Sequence, residues 1–210
     1  MPEQAPKKGI AFKFKKFRMK LKSYAEVTEV GEIARRYFIM NAFDGALTSL
    51  GLVIGFFIAG VADASIIIVT VLAGALALFI SGLWSAFLAE SAERKRELKQ
   101  LERAMMTDLS KSIMAKASRF AIIFSVLING LSPALAATIG VIPFFFGIGI
   151  VDPQMLATFF YLSIGVNMIL LFLLGMYLGR VSKENVIYIG LKVMAAGVIV
   201  TIVLFVINLA

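Results

Sequence analysis

All 21 lysines and arginines of this 210-residue chain fall within residues 7–36, 94–119 and 180–192. Between and after those stretches run long apolar segments that contain no cation. A charged side chain is costly in hydrocarbon, so this spacing describes a chain that crosses a bilayer repeatedly. In lipid each span must satisfy its own backbone hydrogen bonds, and for long apolar runs that means helices. The expected fold class is an all-α integral membrane protein.

Composition narrows the partners and the chemistry. A hydrophobic content of 60% and a mean hydropathy of +0.92 exceed what a soluble domain of this size hides in its core. The net charge of +8 would suggest nucleic acid in a soluble protein. Here the cations flank the spans, where they set orientation and attract anionic headgroups, so the expected partner is the lipid bilayer and not nucleic acid. Cysteine and histidine are absent. That removes disulfides, thiolate and imidazole metal sites, and cysteine or histidine nucleophiles. No phosphate-binding loop, nucleophile elbow or metalloprotease motif occurs, so neither an enzyme nor a resident cofactor is expected. The basic stretch before the first apolar run is too long for a cleavable signal peptide.

A spanning helix needs about 20 apolar residues, and five segments qualify: 37–60, 64–89, 119–149, 154–179 and 187–209. The turns at 61–63 and around Asp152-Pro153 carry acid and no base. Cytoplasmic loops are enriched in Lys and Arg, which places those turns outside and the basic stretches inside. The N-terminus is then cytoplasmic and the C-terminus lies on the opposite side. The expected organisation is a basic, amphipathic cytoplasmic region at 1–36 and a five-span domain at 37–210, with a short cytoplasmic helical linker at 90–118. A multi-pass protein of this kind resides in the cell membrane if the source is prokaryotic.

Two regions carry less regular signals. Pro133 and Pro143 interrupt the third segment, and Pro133 is expected to kink it or end a half-helix, because its ring removes one backbone bond and crowds the preceding turn. An odd number of crossings keeps Arg180 and Lys183 inside, which favours a full span over a re-entrant hairpin. Ahead of the first span, residues 7–22 mix cations with aromatic and aliphatic side chains, as an interfacial helix or a basic tail would. Next, Val27, Val30, Ala34 and Tyr37 form an apolar stripe, while Glu26, Glu29 and Glu32 step along another face.

Candidate chemistry lies where an ionisable group enters lipid. Asp44 sits about seven residues into the first span, on the order of 10 Å deep. A carboxylate there costs a few kcal/mol, so it is expected to face the bundle interior or a wet cavity. Asn41, Asp44, Thr48, Gly51 and Gly55 share one polar and small face. In the second span Gly82, Ala86, Glu90, Glu93 and Glu97 follow helical spacing down out of the membrane. Converging carboxylates suit a divalent cation. The same acids are equally placed to pair with Arg94, Arg96 and Lys99 as ordinary surface contacts. Asn129, Ser163 and Asn167 read as interhelical hydrogen-bonding groups.

Arg35-Arg36 followed by the segment from Asn41 through Asp44-Gly45 to Ser49 resembles the opening of the first span in the vacuolar iron transporter family. Ser81-Gly82 through Ala86 to Glu90 resembles that family's second-span ending. Ser132-Pro133 to Ile142-Pro143-Phe144 is similar to its third span, and Gly190-Leu191-Lys192 to Gly197 to its fifth. The resemblance covers all five spans in order and is that of a short, prokaryotic-type member without the long cytoplasmic metal-binding domain.

The resemblance implies a homodimer that exports ferrous iron, or manganese, from the cytoplasm by proton antiport, along a path at the dimer interface. Asp44 takes the place of the family's membrane-embedded aspartate, a site for metal and proton. Glu90 takes that of the second-span glutamate. Glu93, Glu97 and Glu32 are added as metal-collecting acids, and Asn41, Thr48 and Ala86 as pore-lining positions. Ala86 departs from the family pattern, which has methionine there. The alternatives are a non-transporting helical scaffold and a passive cation channel.

Overall fold

The computed structural model describes residues 30–150 and 152–209. They form five helices: α1 (Val30–Ile58), α2 (Ala64–Met105), α3 (Ile113–Phe145), α4 (Pro153–Ser182) and α5 (Val186–Leu209). Each is long and apolar enough to cross a membrane, and no strand occurs among the described residues. The protein is a multi-pass helical membrane protein.

Several boundaries differ from expectation. α1 begins at Val30, seven residues before the first apolar run, so the stripe through Ala34 and Tyr37 is helical, and with it Glu32, Arg35 and Arg36. The proposed interfacial segment at 7–22 and the acids Glu26 and Glu29 lie outside the described residues. α2 runs for 42 residues, on the order of 60 Å and about twice a hydrocarbon core. The stretch 90–118, expected as a helical linker in which the second-span helix continues, is built from the ends of two helices. Residues 90–105 continue α2, 106–112 turn, and 113–118 open α3. Nothing in 90–105 breaks a helix, so propensity carries it beyond the membrane. The turn has a local cause. Met106 caps α2 in the left-handed region (φ 48°), the Glu102 carboxylate accepts from Leu109 N at 3.1 Å, and Ser112 caps α3 by accepting from Ala115 N at 3.2 Å.

α3 passes through Pro133 without ending: of the two outcomes expected there the half-helix does not occur, and the third segment is the full span that an odd number of crossings favours. Pro133 is buried where α1 crosses α3, and a Cβ on Gly45 would overlap its backbone. Proline leaves the Asn129 carbonyl without its helical N–H, and that carbonyl lies against Gly82 of α2, only 2.7 Å from where a Cβ would stand. Neighbouring helices thus cover the break.

α3 is the central element. It packs along both α1 and α2, whereas α1 and α2 touch each other little; α4 bridges α1, α3 and α5. In lipid there is no hydrophobic drive between helices, so close packing must hold them. Two apolar clusters supply it. One joins Val53, Ile67, Val71, Val141, Phe144 and Phe160; the other joins Ala42, Ala46, Leu50, Ala136 and Leu171. At the α4–α5 seam Gly175 meets Gly190, whose Cα would lie 2.8 Å from an added Cβ.

The bundle is polarised. Every described lysine and arginine lies on the end where α1 starts and where α2 meets α3. The opposite end carries Asp63 and Asp152. Both are N-caps, accepting from Ser65 N at 2.8 Å and Gln154 N at 3.0 Å. The acids that marked these turns in the sequence have a capping role of their own.

Candidate functional site

A polar thread joins the first three helices near the basic end. Asn41 on α1 donates its amide to the Tyr37 carbonyl at 2.7 Å and to Asn129 Oδ1 on α3. Asn129 in turn donates to the Gly82 carbonyl on α2 at 2.8 Å. One turn lower, the Tyr37 hydroxyl donates to Glu90 Oε1 at 3.0 Å. Glu90 is buried, and its other oxygen lies 3.6 Å from Arg94 Nε. Arg94 also reaches Glu97 Oε2 at 3.0 Å. The thread runs Gly82, Asn129, Asn41, Tyr37, Glu90, Arg94, Glu97 without leaving the protein.

The acidic ladder is therefore divided by its surroundings. Gly82, Ala86 and Glu90 turn inward, with Ala86 buried one turn from Glu90. Glu93 and Glu97 lie on the exposed extension. Arg94 takes both Glu90 and Glu97, and neither a Glu93–Arg96 nor a Glu97–Lys99 pair forms among the described residues. Glu32 is exposed and pairs with Arg35 at 3.7 Å. Within one protomer, no three acidic side chains among the described residues converge as a metal cage would require.

Asp44 stands apart from this thread. It is the middle residue of α1 and is exposed on the flank of the protomer, not turned into its core. No hydrogen bond or ion pair reaches its carboxylate from any described residue. Met40 is exposed one turn away and Thr48 is half-buried one turn beyond. Of the two settings expected for Asp44, the interior of the protomer is not the one observed: α3 packs on the Ala42, Gly45, Ala46 and Ser49 side of α1, and 44 falls about 100° from 45 on that helix.

Nearer the centre of the bundle, Ser163 Oγ and Asn167 Nδ2 on α4 both donate to the Gly140 carbonyl, Asn167 at 3.2 Å and Ser163 more closely. Asn167 also donates to the Ser163 carbonyl at 2.9 Å. The interhelical role read for Asn129, Ser163 and Asn167 is thus observed. Tyr37 and Arg94 were missing from the sequence reading as site residues. Their signal was present, since Tyr37 precedes Asn41 by one turn and Arg94 follows Glu90 by one turn, but only packing shows that α1 delivers Tyr37 to Glu90 across 53 residues.

Five spans, a charge-polarised bundle and a lone carboxylate halfway along a spanning helix define a polytopic membrane protein with an intramembrane acid. The chain belongs to the same family as an archaeal protein described as "Uncharacterized protein MJ0645" of Methanocaldococcus jannaschii, with 38% identity over 183 residues, 86% of this chain and 91% of that protein. No protein-family model matches the chain.

Proposed function

We propose that this protein is a divalent metal cation transporter, exporting ferrous iron or manganese from the cytoplasm in exchange for protons, with Asp44 as the site that metal and proton share. One observation carries this reading: a carboxylate halfway along a membrane helix with no hydrogen-bond or ion-pair partner among the described residues. Such a group is costly unless something positive visits it or a second surface encloses it. A homodimer whose seam runs along the Met40, Asp44, Thr48 face would do both, bringing two copies of Asp44 to one path. The resemblance to the vacuolar iron transporter family supports the same arrangement. Orientation follows from the polarised charge: the basic end faces the cytoplasm. Glu93 and Glu97, on the projecting part of α2, raise the local cation concentration at that mouth.

The test is flux in proteoliposomes holding a metal-sensitive and a pH-sensitive dye. Metal entry with proton counterflow that disappears in Asp44→Ala is the expected result; an Asp44→Ala protein that moves iron at the normal rate ends the assignment. Metal flux without proton movement would point to a passive channel. The scaffold reading draws on Arg94, which already neutralises two acids of the ladder. Protection of 90–105 from hydrogen exchange by ferrous iron separates the two, because a docking face does not respond to metal.

A further inference from the structure

At the basic end of the bundle a cavity of about 620 Å³ opens between the start of α1 and the last turns of α4. Its lining is amphipathic: Arg35, Arg36 and Arg180 share it with Tyr177 and with an apolar part made by Ile39, Leu178 and Val181. Glu32 is the one carboxylate in the lining, and it is exposed and paired with Arg35 alone. That pair involves neither Arg36 nor Arg180, and its carboxylate opposes any anion entering the cavity. Arg36 lies 5.7 Å from the Tyr37 ring, and Arg180 has no acidic partner among the described residues. Among the described residues no acid pairs with Arg36 or Arg180, two permanent cations at the level where α1 and α4 enter hydrocarbon. Tyr177 is held edge-on by Phe38, with ring centroids 6.2 Å apart at 89°, and its hydroxyl makes no hydrogen bond to a described residue.

Guanidinium groups match phosphate oxygens two at a time, and an aromatic ring with a polar tip is suited to the headgroup level. We propose that this cavity binds the phosphate-bearing headgroup of an anionic phospholipid, with Arg36 and Arg180 on the phosphate and the acyl chain along the apolar wall. A soluble phosphate would engage the arginines and leave that wall unused, whereas a lipid fills both halves. The bound headgroup would tie the start of α1 to the end of α4. Asp44 is not among the residues that line this cavity.

The full chain, extracted in a mild detergent and given equal phosphatidylglycerol and phosphatidylcholine, is read by native mass spectrometry for retained lipid. The wild-type protein keeps phosphatidylglycerol in preference. Arg36→Gln with Arg180→Gln lowers that preference about tenfold or more, the loss expected for two charge-assisted contacts. Arg96→Gln with Lys99→Gln removes the same charge from the α2 extension and leaves the preference intact. Glu32→Gln removes the opposing carboxylate and raises retention, which keeps the test open if the double arginine variant does not fold. Equal loss in the two double variants, or retention that Glu32→Gln fails to raise, overturns the proposal. Displacement of the lipid by excess inorganic phosphate would overturn it in favour of a soluble anion.

Discussion

Tyr37 and Glu90 are hydrogen-bonded at 3.0 Å although α3 separates most of the helices that carry them. This contact closes α1 onto α2 at the basic end, where a buried carboxylate is shared between a phenol and a guanidinium. Arg94 has 11% of its side chain exposed and Glu90 9%, so the pair is largely withdrawn from water. Removing Arg94 would leave the acid uncompensated. Arg94→Ala is expected to cost about 3–5 kcal/mol, and Tyr37→Phe about 1 kcal/mol. Thermal unfolding of the detergent-solubilised protein checks the order, and Glu90→Gln combined with Arg94→Ala should recover part of the loss. Equal melting of Tyr37→Phe and Arg94→Ala would contradict the burial argument.

Gly45 and Gly55 lie on the same helix and predict opposite outcomes. A Cβ at Gly45 meets the backbone of Pro133, which cannot swing aside, while nothing lies within 4 Å at Gly55. Gly45→Ala should separate α1 from α3 and lower the melting temperature markedly. Gly55→Ala should be neutral or slightly stabilising, because alanine is the better helix former by about 1 kcal/mol. The comparison needs only the two melting curves.

The face around Asp44 is expected to be covered by a second copy. The chain contains no cysteine, so single cysteines report without background. Met40→Cys, one turn from Asp44, should form a disulfide-linked dimer in membranes under mild oxidant. Ile202→Cys, exposed on α5, should remain monomeric. Cross-linking at 202 and none at 40 would remove the shared path from the proposed function.

Asp108 in the α2–α3 turn accepts from the Ser110 backbone N–H at 2.8 Å, and that bond holds its carboxyl below the usual carboxylate range. A depressed value in the folded state means the turn gains stability above the ordinary aspartate value of about 3.9, and loses it as pH falls through the folded value. Hydrogen exchange at the start of α3 should therefore quicken in acid. Asp108→Asn should weaken that pH dependence. An unchanged acid response in the variant would assign it to another group.

Much of the architecture was legible in linear form. Five apolar runs bounded by clustered cations require five crossings, because lipid admits neither unpaired backbone nor stray charge. Hydropathy alone left the helix ends less legible than the spacing of Ala34 with Tyr37 and of Glu90, Glu93 and Glu97 did. Residues 30–36 and 90–105 are polar yet form helix, since propensity and not hydropathy decides where a helix stops. Pro133 left two outcomes open for a related reason. A proline lacks an N–H wherever it stands, but whether the helix ends there depends on what covers the freed carbonyl, and here Gly82 of α2 does so.

The candidate site divides along the same line. Composition and spacing were enough to identify an acid in the first span, to exclude thiolate and imidazole chemistry, and to align Gly82, Ala86 and Glu90 on one face, since these follow from covalent identity and the 3.6-residue period. Which way each face points could not be read locally. The rotation of α1 against α3 turns Asn41 inward and Asp44 outward, and the descent of α2 past α1 gives Glu90 to Tyr37. Those outcomes depend on contacts between residues tens of positions apart, which close packing around Gly45, Pro133 and Gly82 selects.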